Sequence, residues 1–345
     1  MDSFEGMYYY DRLSEEEKTV YAEIYYYLIN RIDEGRLSST DINQIEKVYN
    51  YLINDHPEIF YVSGYTYRAY SSGDTIVYIT FSGSYTMDEN EVITYEDAIS
   101  NYLGSCMRYV EDNSESSDEY GTIKAVYDFI IKNTEYNIDS KYNQSIVSVA
   151  AFGESVCRGY AKMFQYILNK CYGIEVTSVT GRIKDGTGHE WNLVRLGENY
   201  YYVDPTWGDD SFSEDDFSFL GNVSKDMIPQ VSYFFFMVPE RIIEETHEFD
   251  NKEIMPVCDN IEEFYFYKTG AYFTDVDDTQ LKTLFDKAYE NKDKYIILMM
   301  DSDSTYKKMR KYLLDNQKIF GFLDKDSVTV NYAECPDRYY ILFWL

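Results

Sequence analysis

Gly188-His189-Glu190-Trp191-Asn192-Leu193-Val194-Arg195, followed by Leu196-Gly197-Glu198-Asn199 and then by Tyr200-Tyr201-Tyr202-Val203-Asp204-Pro205, decides what this chain folds into. An apolar and aromatic run meets a cluster of turn residues, and a second such run returns. The pattern predicts an antiparallel hairpin. Two registers fit it, one pairing position 189 with 204 and the other pairing 189 with 206. In both, His189 and Asp204 project from one sheet face, directly opposite or diagonally adjacent, within side-chain reach. An aspartate that accepts a hydrogen bond from one imidazole nitrogen fixes the tautomer and leaves the other nitrogen to take a proton. Alone, a strand histidine or a turn aspartate is more often structural, so it is their joint placement that points to chemistry.

Upstream, Ser155-Val156-Cys157-Arg158-Gly159-Tyr160-Ala161 sets a thiol at the start of an amphipathic helix that runs from about Gly159 to Lys170, with Met163, Phe164, Ile167 and Leu168 on its inner side. A helix N-terminus presents unpaired N–H groups and partial positive charge, which favour thiolate over thiol. The N–H of Cys157 also suits the oxyanion of acyl transfer. A buried structural cysteine is the plainer alternative for such a residue taken alone. With Cys157 as nucleophile, His189 as base and Asp204 as orienter, the chain holds the parts of a thiol triad.

These words resemble the transglutaminase-like superfamily of papain-type cysteine enzymes, specifically its bacterial transglutaminase-domain proteins. The resemblance is carried by Ser155 to Lys162, by Gly188 to Val194, and by Tyr201-Tyr202-Val203-Asp204-Pro205-Thr206-Trp207-Gly208-Asp209, and it covers roughly residues 120 to 250. It implies an α+β, papain-like core, a nucleophile helix packed on an antiparallel sheet, with Cys157, His189 and Asp204 as the catalytic residues. Two residues depart from the usual pattern, Glu190 after the histidine and Arg158 beside the thiol. Glu190 is expected on the opposite sheet face from His189, solvated or salt-bridged. Papain-like sites pair the cysteine N–H with a second oxyanion donor, for which Gln144 in Asn143-Gln144-Ser145 is the candidate, an exposed loop glutamine being the alternative. Trp191 and Trp207 wall the site or its core, with core favoured.

Around this centre, Ser14-Glu15-Glu16-Glu17 reads as a capping box ahead of a helix carrying Val20, Ile24, Tyr27, Leu28 and Ile32. A second helix, with Ile42, Ile45, Val48, Tyr49 and Leu52, is expected to stop near Pro57. Strands are expected over Ile59 to Val62, Tyr65 to Tyr70 and Thr75 to Phe81, separated by Gly64 and Ser71-Ser72-Gly73-Asp74, and a helix over Tyr95 to Val110. Polar Asp112 to Asp118 reads as a linker, and Ile123 to Ile131 as a helix. From about Pro256 the pattern alternates strand-like Phe264 to Tyr267, helical Leu281 to Tyr289, strand-like Tyr295 to Met300, helical Tyr306 to Leu314, and closing strands near 327 to 332 and 339 to 343. The expected division is an N-terminal α+β region (1–115), a transglutaminase-like domain (116–254) and a small C-terminal α+β domain (255–345).

The 345 residues, 18% of them aromatic with 39 tyrosines, are ample for a buried core. A net charge of -30 repels nucleic acid and anionic membrane surfaces, leaving a peptide or protein substrate as the expected partner. The five cysteines, Cys106, Cys157, Cys171, Cys258 and Cys335, are odd in number and widely spaced, implying neither a disulfide framework nor a zinc site. No cofactor or metal is called for. His56 and His247 read as terminal or exposed, and the acidic stretch Asp209, Asp210, Glu214, Asp215, Asp216 as a solvated loop lacking calcium-loop spacing. The beginning of the sequence lacks an export signal's basic and apolar regions, and no run of about 18 apolar residues is present, so a soluble protein is expected, cytoplasmic as written or exported if a signal was removed. The expected activity is thiol-dependent acyl transfer on peptide or protein amides, with a cysteine protease or amidase slightly ahead of a protein-glutamine transglutaminase. A non-catalytic peptide-binding scaffold that keeps the fold is the remaining alternative.

Overall fold

In the computed structural model, residues 4–209, 229–324 and 329–345 are described. Helix α1 (Glu15–Ile29) starts where its capping box dictates: the Glu17 N–H donates to Ser14 Oγ and the Ser14 N–H donates back to the Glu17 carboxylate. After β1 (Gly35–Arg36) comes α2 (Ile42–Asp55), capped by Asp41. The long hairpin of β2 (Val62–Ser72) and β3 (Thr75–Tyr85) then completes a three-stranded sheet in the order β1-β3-β2. Ile59 to Val62, expected as a strand, is instead a turn: Ile59 donates to His56 and Val62 to Ile59 along the backbone. Gly64 does not separate strands either, because β2 passes through it with a bulge between Val62 and Gly64.

Helix α3 (Glu89–Asn113) starts earlier than Tyr95 because Asp88 and Glu91 form a second capping box. It is followed by α4 (Glu119–Lys132), the short parallel pair β4 (Glu135–Tyr136) and β5 (Glu154–Ser155), and α5 (Cys157–Ile167). The central sheet, in the order β8-β7-β6-β9, is antiparallel throughout and consists of β6 (Val176–Ile183), β7 (Gly188–Leu196), β8 (Asn199–Val203) and β9 (His247–Phe249). Gly197, at φ 60, takes the left-handed conformation that the tight β7–β8 turn requires. Asn192 faces Val203 and Leu196 faces Asn199, so the hairpin adopts the register that, continued, sets position 189 opposite 206.

Alternation along β7 then divides its side chains. Glu190 pairs with Arg158, Asn192 Nδ2 donates to Ala161 O at 2.9 Å, and Val194 joins the cluster of Tyr160, Met163, Phe164 and Ile167, all on the α5 side. Trp191 and Leu193 enter a different core with Val20, Ile24, Leu28, Ile45, Leu52 and Tyr202, which joins the N-terminal helices to the sheet.

Beyond α6 (Glu240–Ile243), the run Phe264 to Tyr267 is not a strand. Its aromatic residues open the one-turn helix α7 (Tyr265–Lys268), where the Lys268 N–H donates to Phe264 O. The C-terminal sheet has the order β10-β11-β13-β12 and comprises β10 (Tyr272–Phe273), β11 (Tyr295–Met300), β12 (Asn331–Cys335) and β13 (Tyr340–Trp344), with helices α8 (Asp278–Asn291) and α9 (Asp303–Arg310) packed against it. Part of the strand expected near 327 to 332 lies outside the described residues, and β12 continues past it. No helix among the described residues is long and apolar enough to cross a membrane.

Candidate active site

Cys157 is the first residue of α5, and the N-cap, Val156, offers no side-chain acceptor to the helix's first turn. The approach to it is pinned. The Val156 N–H and Ser155 Oγ both donate to Asn143 O, at 3.3 and 3.0 Å, and Ser155 Oγ shares a hydrogen bond with Ser148 Oγ at 2.6 Å. Backbone pairing of Glu135–Tyr136 with Glu154–Ser155 adds a second tie. The thiol itself is half-buried, unlike the buried Cys106 and Cys258.

His189, buried at the start of β7, binds Asp204 through Nε2, 2.7 Å from Oδ2, which leaves Nδ1 for the other side of the ring. The Cys157 thiol lies near enough to the same imidazole to favour its charged form. Burial disfavours the imidazolium, but the charge and hydrogen bond of Asp204, reinforced by Cys157, outweigh it and raise His189 to about 10. Asp204 is fully buried, and its Oδ1 accepts from the N–H groups of Thr206 and Trp207 at 2.9 and 3.2 Å. Burial pushes the carboxyl up, yet the two imidazoles that face it, His189 and His247, hold it well below the usual carboxylate range.

His247 corrects the sequence reading. It is buried, not exposed, because β9 lines the free edge of β6 with Ile183 facing His247, and its Nε2 lies 3.1 Å from Asp204 Oδ2. His56 is buried as well, packed 4.5 Å from the Tyr25 ring with Nδ1 2.5 Å from Glu58. Asp209 likewise leaves the solvent: it is buried and accepts from the Tyr160 hydroxyl, while Asp210, Glu214, Asp215 and Asp216 lie outside the described residues.

The two residues that departed from the expected pattern meet each other. Arg158 Nε stands 3.3 Å from Glu190 Oε2, so Glu190 is salt-bridged as expected but buried, with 4% of its surface exposed. One turn along α5, Lys162 is buried and donates to Ile53 O at 3.0 Å. Burial, with the Arg158 charge adding to it, lowers its amine to about 7. Arg158 and Lys162 line a cleft of about 940 Å³ together with Tyr49 and Tyr65 from the N-terminal region and with Gln144. Gln144 is exposed on the turn whose neighbour Asn143 holds the segment before Cys157. Trp191 is buried, its ring 6.0 Å from His189 and 4.8 Å from His247. Trp207 is half-buried against His247 and Phe235, both at 4.9 Å, with the C-terminal Arg338 over its ring.

His189, Asp204 and His247 offer ligand atoms within 4.8 Å of one another. Their Nε2 to Oδ2 spacings of 2.7 and 3.1 Å are tighter than the roughly 3.3 Å between ligands on a tetrahedral zinc, so shared protons account for the group.

Residues 108–205 match the model of the transglutaminase-like superfamily. Among solved structures, the chain is similar to a TGase at 15% identity, with a TM-score of 0.29, covering 42% of this chain and 44% of that one. It is also similar to a protein from Cytophaga hutchinsonii described as a candidate cysteine protease, at 14% identity, with a TM-score of 0.27, covering 41% of this chain and 61% of the other. The chain thus spans less than two thirds of either structure. No curated protein matches the sequence.

Proposed function

We propose that the transglutaminase-like domain of this chain carries out thiol-dependent acyl transfer on peptide or protein amides, with Cys157, His189 and Asp204 as its triad and hydrolysis as the favoured outcome. The observation that carries this reading is the buried imidazole of His189, bound through Nε2 to Asp204 at 2.7 Å, and the influence of the Cys157 thiol on its charge supports it. In the first step the Cys157 sulfur, its proton passed to His189, bonds to the amide carbonyl carbon. The tetrahedral intermediate collapses, the C–N bond breaks, and His189 gives its proton to the departing amine. Water, deprotonated by His189, then cleaves the thioester and releases the acid. An amine in place of water would give transamidation, the same first half-reaction with a different acceptor. The N–H groups of the first turn of α5 suit the carbonyl oxygen as it gains charge, and the Gln144 side chain is the proposed second donor. Trp191 and Trp207 are proposed to wall the imidazole rather than touch substrate.

The test offers a glutamine-containing protein and a labelled primary amine to the parent and to Cys157→Ala, scoring amine incorporation against new N-termini. New N-termini made by the parent and abolished in the variant are the expected result. Incorporated amine would move the assignment to transamidation. If neither product forms, and iodoacetamide modifies Cys157 no faster below about pH 7 than Cys171 or Cys335, the chain is a binding scaffold and the proposal fails.

A further inference from the structure

His247 stands outside any thiol triad, yet it reaches the centre of this one. We infer that His247 is a positioning residue for the proposed reaction, holding Asp204 charged and in line so that the mobile proton stays on His189; the inference rests on the triad reading above.

A fully buried imidazole is costly unless both ring nitrogens find partners. On His247 they do, with Nδ1 2.8 Å from Thr246 Oγ1 and Nε2 3.1 Å from Asp204 Oδ2. Because a carboxylate only accepts, Nε2 carries the proton, and Nδ1 accepts from the threonine hydroxyl. The ring is clamped from all sides, 4.8 Å from Trp191, 4.9 Å from Trp207 and 5.4 Å from Phe235. A residue serving only to fill that aromatic box has no need of a polar edge, and an aliphatic side chain would avoid the desolvation.

The donor lands on the oxygen that His189 uses. In a dry pair at 2.7 Å, His189 has two ways to discharge its proton, to the leaving amine or to Asp204. Each further N–H on the carboxylate lowers its basicity and closes the second route. Thr206 and Trp207 supply such donors to Oδ1, and His247 supplies the one on Oδ2 itself. Burial keeps His247 neutral by pushing its imidazole below the ordinary range, so it donates without adding a second positive charge beside His189.

The experiment measures the rate of Cys157 alkylation by iodoacetamide at pH 7 in the full chain, for the parent, His189→Ala, His247→Gln and His247→Asn. A glutamine amide reaches the Nε2 position and restores the donor, whereas asparagine reaches only the Nδ1 position. We expect His189→Ala to slow alkylation strongly, His247→Asn to slow it about tenfold, and His247→Gln to recover to within about threefold of the parent, at matched melting temperatures. Equal rates for the two His247 variants, whether fast or slow, would overturn the positioning role while leaving the triad standing. A His189→Ala variant as fast as the parent would overturn the triad itself, and this inference with it.

Discussion

Replacing Asp204 with asparagine tests the site at its most constrained atom. The amide oxygen of the variant must stay toward the Thr206 and Trp207 N–H groups, since an NH2 there would confront two donors. The NH2 therefore points at His189 Nε2 and His247 Nε2, which now donate to Oδ2. Both rings must move their protons to Nδ1. For His247 the change is tolerable, because the Thr246 hydroxyl can accept in turn. For His189 it puts an N–H toward Cys157, and a ring in that state cannot take the thiol proton. The charge that raises His189 from 6.5 to about 10 is lost at the same time, a difference worth roughly 5 kcal/mol. Relaxation and water entry return part of that, so we expect Cys157 alkylation to slow about a thousandfold, or ~4 kcal/mol, while the chain stays folded. Intact-mass kinetics with iodoacetamide measure it. A variant within tenfold of the parent rate would refute the proton path.

The same pair has a signed pH dependence. Because the His189 value is raised in the folded chain, the stability it supplies is complete below about pH 6.5 and is lost as pH rises through about 10. The stability advantage of the parent over Asp204→Asn should therefore shrink across that window in denaturant titrations, and an advantage that grows with pH would refute the assignment.

Two further substitutions probe the ground around the thiol. A Cβ at Gly159 would stand 1.9 Å from Ser155 Oγ and 3.1 Å from Ser145 O, so Gly159→Ala must displace the hydroxyl that ties Asn143 to the approach of Cys157; we expect a loss of about 2 kcal/mol in urea unfolding and alkylation slowed more than tenfold. Lys162 titrates near 7 where an unfolded lysine titrates near 10.5, so burying it costs most below pH 7 and nothing well above 10.5; Lys162→Met should stabilise the chain by roughly 5 kcal/mol at pH 6, less the hydrogen bond to Ile53, and most of the gain should be lost on raising the pH to 10.

What the sequence made legible was local. The Ser14–Glu17 box, the β7–β8 turn and the face shared by His189 and Asp204 all follow from spacings of a few residues, and the structure follows them. A comparable signal was missed at Asp88 and Glu91, where acid at the cap and at N3 starts α3 a full turn and more before its first long apolar stretch. Phe264 and Phe266 are both buried, the alternation of a strand, but here one tight turn of helix and the chain's return past Tyr272 bury them. His247 carried no sequence signal. Its strand pairs only Gly181, Arg182 and Ile183 with Phe249, Glu248 and His247, too short for periodicity, and its partner Asp204 is on a different strand connection. His56 was hidden for a related reason, since the rings of Phe4, Tyr21 and Tyr25 that enclose it come from the start of the chain.

Arg158 and Glu190 show why neighbours of a proposed site residue are best judged in space. Each follows a proposed triad member, Arg158 the thiol and Glu190 the imidazole, and each is turned by its element away from the reacting atoms. On one side of β7 the imidazole of His189 is held by Asp204, and on the other Arg158 Nε meets Glu190 Oε2 at 3.3 Å. The start of α5 and the start of β7 are thus joined by a buried ion pair. Asn192 adds a second tie one step along the strand, donating to the Ala161 carbonyl of the same helix. A helix and a strand fixed at two successive points have little freedom to slide, and Cys157 and His189 at their starts inherit that rigidity. Either residue alone, arginine beside a thiol or glutamate beside a histidine, would leave a charge without its counterion next to the reacting pair. Together they neutralise one another, and the electrostatics of the site are left to Asp204 and the histidines it holds.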